Sequence, residues 1–208
     1  LPGVTNIGST TAVPLEGFGT GCSVVWREGR PFAEGQEPPC VSTPRIAPGF
    51  FETLRIPVRG RIPDWSDVVS RSQAVVVTKA LADRLWPGEE PIGQGIGSNG
   101  PQSTLWYRVV GVVGELRAEA LDHPPTEAVF YATTGLRPNQ KSGGSNFLTY
   151  LVRTDGVDPR SLIPEARKLL AEANPRVPFA DPRTLDQIFS QSMSRTSFVM
   201  ILLGVAAA

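Results

Sequence analysis

Few residues in this chain could carry chemistry. Histidine occurs once, as His123 in Leu-Asp-His-Pro-Pro. No multi-histidine metal site can therefore be assembled, and serine hydrolysis would have to use that one imidazole as its base. No Gly-x-Ser-x-Gly elbow precedes a helix, and simple geometry turns the adjacent Asp122 away from His123. The carboxylate pairs Glu89-Glu90 and Asp64 with Asp67 fall in loop-like segments with no partner motif and read as solvated charge. Gly95-Ile-Gly97-Ser-Asn-Gly100 spells the dinucleotide-binding pattern. That pattern cradles a pyrophosphate only when a strand feeds it and a helix follows. Here Pro91-Ile92-Gly93 precedes it, Pro101 follows, and the next element is a strand. Gly111-Val-Val-Gly114 lies at a strand end and fails for the same reason. The reading is of a non-enzymatic chain, with no catalytic set, no metal ligands and no cofactor of its own.

Two cysteines, Cys22 and Cys40, lie in a turn-rich quarter of the chain. They are either unrelated thiols or a candidate disulfide. A bond closing so short a loop contributes about 3 kcal/mol when unstrained, and it persists only in an oxidising compartment. Both readings stay open at the level of sequence.

The elements that position these residues follow from composition and periodicity. Among 208 residues, 20 basic side chains balance 20 acidic ones, so no net field draws the chain to nucleic acid or an anionic surface. The basic residues are scattered and do not interleave with the four tryptophans as a nucleic-acid surface would. With 21 glycines and 20 prolines, turns and short strands are expected rather than a helical bundle. Strands are expected over Val4–Val13, Cys22–Trp26, Gln73–Val77, Trp106–Val113, Ala128–Tyr131 and Phe147–Arg153. Glu89–Gly100 reads as turn, Ile62–Asp67 as a polar loop carrying Trp65, and Gly135–Ser145 as a flexible loop. One helical turn is expected over Gly49–Leu54. Thr78 is a plausible N-cap for a helix over Lys79–Trp86, which Pro87-Gly88 stops. Phe50, Phe51, Trp86 and Pro87 read as core and turn residues. Asp158-Pro159 opens a helix to about Ala173 with Leu162, Ile163, Ala166, Leu169 and Leu170 on one side. Val177–Ala180 then completes a strand–helix–strand crossover.

At the C-terminal end, Asp181-Pro182 supplies an N-cap and a first-turn proline. Leu185, Ile188, Phe189 and Met193 follow on one face at spacings of three and four, with Asp186, Gln187, Gln191 and Arg195 opposite. Beyond Arg195 the pattern becomes apolar all round, and Phe198–Ala208 carries no charge. Spanning a bilayer takes about 20 apolar residues, so this run is too short to cross. A buried core helix is one reading. A stalk entering a membrane at the start of a transmembrane helix fits the change of pattern better.

Several segments in order resemble the periplasmic core domain of MacB/FtsX-type ABC transporter permeases, closest to MacB-like permeases with duplicated cores. They are Arg45-Ile-Ala-Pro-Gly-Phe-Phe-Glu-Thr-Leu54 with Ile56-Pro57 and Gly60-Arg61, then Ala74 through Gly93. Tyr107-Arg-Val-Val-Gly-Val-Val-Gly114, Ala128-Val-Phe-Tyr131 and Leu151-Val-Arg-Thr154 complete the set. Thr78 is a departure, because the closer relatives carry Asn there. The resemblance implies an α+β fold with a porter-like lobe containing a βαβ unit and a smaller inserted α/β lobe. On that basis residues 1–66 and 145–197 would form the porter-like lobe and its stalk. Residues 67–144 would form the insert, and 198–208 the start of a transmembrane helix.

The resemblance also implies an extracytoplasmic, periplasmic part of a membrane protein that relays ATP-driven conformational change and contacts exported substrate or partner proteins. Leu185, Ile188, Phe189 and Met193 would be its coupling stalk. Its partners would be its own transmembrane helices, a cytoplasmic ATPase subunit that binds the ATP, a second copy in a homodimer, and a periplasmic adaptor. A membrane-tethered ligand-binding or sensor domain is the alternative.

Overall fold

The computed structural model describes residues 1–16, 22–118, 123–132 and 148–193. It falls into two compact units, Gly8–Leu151 and a second made of Leu1–Ile7 with the chain from Val152 onward. In chain order the strands are β1 (Val4–Thr10), β2 (Ser23–Val24), β3 (Trp26–Arg27), β4 (Cys40–Val41), β5 (Arg45–Ile46) and β6 (Val58–Gly60). They continue as β7 (Ala74–Thr78), β8 (Gly95–Gly97), β9 (Tyr107–Val113), β10 (Val129–Ala132) and β11 (Thr149–Thr154). The helices are α1 (Phe50–Leu54), α2 (Trp65–Ser70), α3 (Lys79–Leu85), α4 (Ile163–Ala173) and α5 (185–193).

The β-branched run Ala74-Val-Val-Val-Thr78 is buried along its whole length. It lies antiparallel to β10 on one side and parallel to β9 on the other. A strand buried on both faces needs apolar side chains at every position, which is why it does not alternate. Its side chains nevertheless serve two different cores, because successive Cβ atoms point to opposite faces. Val75 and Val77 pack with Leu81, Leu85, Trp86, Ile96, Val109 and Val129. Val76 faces the other way, toward Ile46, Phe50, Phe51, Val113 and Phe130. There the rings of Phe50 and Phe51 meet edge-on at 5.1 Å, and those of Phe51 and Phe130 at 5.3 Å. That geometry is favoured by the ring quadrupoles.

The strand order within Gly8–Leu151 is β5-β10-β7-β9-β8-β3, with β6 also paired to β9. One end of β9 takes β8 and the other takes β6. The mixed sheet with helices is the α+β class expected from the sequence. The range 67–144 lies wholly within this unit. Strands β5 and β6, which precede that range, pair with β10 and β9 inside it.

Four local expectations are corrected. Gly95–Gly97 is a strand, not part of a turn; a Cβ at Gly95 would stand 2.6 Å from Glu28 Cβ, so the glycine lets β3 and β8 close up. Ile62–Asp67 is not a plain loop, because Asp64 caps a helix that starts at Trp65. Thr78 does sit at the N-cap of α3, but its hydroxyl makes no cap bond and instead accepts from Ala128 N–H at 3.0 Å, tying β10 to β7. Residues 177–180 form no strand, and Pro178 there has no N–H to give a ladder. The strand–helix–strand crossover with parallel strands is β7-α3-β9.

In the second unit Thr5 Oγ1 donates to Arg153 O at 3.3 Å and Asp155 N–H to Gly3 O at 2.9 Å. Asp158 opens the next helix as its position predicts, accepting from Arg160 N–H at 2.9 Å, but the first turn, Pro159–Leu162, is a 3-10 turn. No residue of α4 is buried.

Candidate functional site

The α5 segment starts three residues later than its sequence suggests. Asp181 has a left-handed backbone, φ 51°, and does not cap. Thr184 caps instead: its Oγ1 accepts from Gln187 N–H at 3.2 Å, while Gln187 Oε1 accepts from Thr184 N–H at 2.8 Å. This reciprocal pair is a capping box, and it satisfies donors that the first turn would otherwise leave open. The signal was present as Thr184-x-x-Gln187.

Once the register is fixed, Leu185, Phe189 and Met193 fall at steps of four along one line. They are 44%, 46% and 41% exposed, whereas Ile188 is 7% exposed. The four residues expected to form a stalk face thus divide. Ile188 anchors the helix, and the other three present a continuous apolar stripe. Arg195 and the uncharged run 198–208 lie outside the described residues. No described helix is long and apolar enough to cross a membrane.

A second constellation was missed in sequence. Asp67 is 6% exposed, not solvated. Its carboxylate accepts from Arg61 Nη2 at 2.9 Å, from Ser72 Oγ at 2.6 Å and from Asp64 N–H at 2.9 Å. Asp64 Oδ1 in turn accepts from Ser66 N–H at 2.7 Å and Asp67 N–H at 3.2 Å. Hydrogen bonding from the Arg61 guanidinium, helped by Ser72 and the Asp64 amide, holds the Asp67 carboxyl well below the usual carboxylate range against the opposing effect of burial. Every oxygen is engaged in fastening a loop to a helix, so the group is a staple with no proton to offer a substrate. The Asp64-x-x-Asp67 spacing was the available signal. Glu89 and Glu90 remain surface charges, paired with Arg30 at 2.5 Å and Arg59 at 2.8 Å.

Cys22 and Cys40 are joined, with Cα atoms 5.3 Å apart and a sequence separation of 18. Val24 and Cys40 are partners in the β2–β4 pair. A shallow cavity of about 300 Å³ beside the bond is lined by Ser42, His123, Pro124, Thr126 and Glu127. Asp122 lies outside the described residues. Among the described residues no three His, Cys, Asp or Glu side chains gather as a metal site. Gly95, Gly97 and Gly100 do not form a phosphate loop either. The first two are in β8, and the next element is β9.

The mixed sheet with its helices is of the α+β class. The chain belongs to the MacB-like periplasmic core domain family, whose model matches residues 16–169. Two solved structures share the fold. The periplasmic region of MacB from Actinobacillus actinomycetemcomitans is 14% identical with a TM-score of 0.57, over 85% of this chain and 71% of that one. The extracellular domain of the noncanonic ABC-type transporter YknZ from Gram-positive bacteria is 17% identical with a TM-score of 0.51, over 84% and 78%. No curated protein sequence matches the chain.

Proposed function

We propose that this domain is a mechanical part of an ABC transporter permease, receiving ATP-driven movement of membrane helices through α5 and meeting exported substrate or partner proteins outside the membrane. The observation that carries the reading is the Leu185–Phe189–Met193 stripe on a capped helix whose sequence continues into an uncharged run. Membership of the MacB-like family supports it, as does the thin inventory of reactive groups. Such a domain carries no cofactor; the ATP belongs to a cytoplasmic partner subunit, and a second copy completes the transporter. A stiff helix with one face anchored by Ile188 can shift as a body when its membrane end moves.

The test uses the full-length permease with its ATPase. Single cysteines at positions 185, 189 and 193 are labelled with a thiol reagent in the presence and absence of a trapped ATP state. The reading expects labelling rates at two or more of these positions to change by at least about tenfold. Equal rates in both states would overturn the coupling role.

A further inference from the structure

Asparagine followed by glycine occurs once in the sequence, at Asn99-Gly100, in the connection from β8 to β9. Asn99 is exposed, and among the described residues neither its side chain nor the Gly100 N–H makes a hydrogen bond. Gly100 has φ 89°, and a Cβ built there would meet nothing within 4 Å, so the backbone around it has room to rotate. An unbonded side-chain amide therefore stands beside an unbonded glycine amide nitrogen. We infer that Asn99 is a site of spontaneous backbone-assisted deamidation, independent of the transport role.

Gly100 N attacks Asn99 Cγ, and its proton passes through water to Nδ2; the new C–N bond closes a five-membered imide as the Cγ–Nδ2 bond breaks and ammonia leaves. Water then opens the ring at either carbonyl, leaving aspartate or its β-linked isomer. The product gains one negative charge and about 1 Da.

The other described asparagines act as internal controls. Asn174 precedes Pro175, which has no N–H to attack, and its own Oδ1 accepts from Arg176 N–H at 3.1 Å. Asn6 lies within β1 and precedes the β-branched Ile7. Neither can close the ring readily.

The experiment incubates the full-length protein at mildly alkaline pH, folded and in denaturant, followed by peptide mass mapping and enzymatic detection of isoaspartate. The folded chain is expected to convert at Asn99 within about threefold of the denatured rate, because local freedom and not global unfolding governs the step. It should also convert at least about tenfold faster there than at Asn6 or Asn174. Asn99→Gln should abolish the mass gain in the 98–101 peptide. Conversion at Asn99 more than about tenfold slower in the folded chain than in denaturant, or equal gain at Asn6, would overturn the inference.

Discussion

Gly8–Leu151 and the unit formed by Leu1–Ile7 with the chain from Val152 onward use similar amphipathic patterns and end differently. The first buries Phe50, Phe51, Phe130, Leu81, Leu85 and a full valine strand. In the second, Ile188 alone is buried among the described residues, and Leu169, Val177, Leu185, Phe189 and Met193 stay substantially exposed. A core that closes on itself supplies its own stability. An apolar stripe left uncovered contributes little to folding and is free to meet something else. Stability is thus concentrated in one unit, while the proposed coupling surface sits in the other.

Breaking the first unit should have the largest effect. Phe130→Ala removes a ring from the Phe50–Phe51–Phe130 cluster and is expected to destabilise by about 3–5 kcal/mol in urea unfolding followed by tryptophan fluorescence. A loss under about 1 kcal/mol would mean this core is poorly packed.

Reduction of Cys22–Cys40 comes next. Opening a loop of this length is expected to cost about 3 kcal/mol, with intact mass rising by about two hydrogens. An unchanged mass after oxidative expression would remove the bond from the account.

Asp67→Asn ranks third, at about 2 kcal/mol, because it removes the charge that faces Arg61 and puts a donating NH2 where one carboxylate oxygen accepts from Arg61 and the Asp64 N–H. Arg61 is half exposed, which keeps the figure below that of a fully buried pair. The sign with pH follows from the lowered carboxyl. Its stabilisation is fully present above the unfolded value, about 3.9. It is lost as pH falls below that value toward the depressed folded one. The wild type should therefore lose stability on acidification below about pH 4 more steeply than Asp67→Asn; parallel acid limbs would show that the staple does not act through its charge.

Smallest of all should be Leu169→Ala on α4, within about 0.5 kcal/mol of wild type. A large loss there would erase the distinction between the two units.

The sequence made the strongly patterned elements legible and the locally stapled ones obscure. The runs around Val75, Val109 and Val129 are apolar enough to announce buried strands, and Leu81 with Leu85 announces the helix between them. By contrast, β8 is Gly-Ile-Gly, whose glycines look like a turn until the close approach of Glu28 is seen. Helix α2 looked polar because its stability comes from Asp64 and Asp67, whose partners Arg61 and Ser72 are recognisable only once the chain has turned. The α5 stripe was readable from its period of four. Its starting residue was not, because Asp181-Pro182 and Thr184-x-x-Gln187 are competing start signals and the reciprocal box won.

On this proposal the α5 stripe serves coupling and not folding. The most direct test is Phe189→Ser in the full-length transporter, measuring substrate export and ATP hydrolysis together with the urea midpoint of the isolated domain. The unfolding midpoint is expected to stay close to wild type and ATP hydrolysis to be retained, with export reduced at least about tenfold. Unchanged export, or a midpoint that falls as far as that of Phe130→Ala, would contradict it.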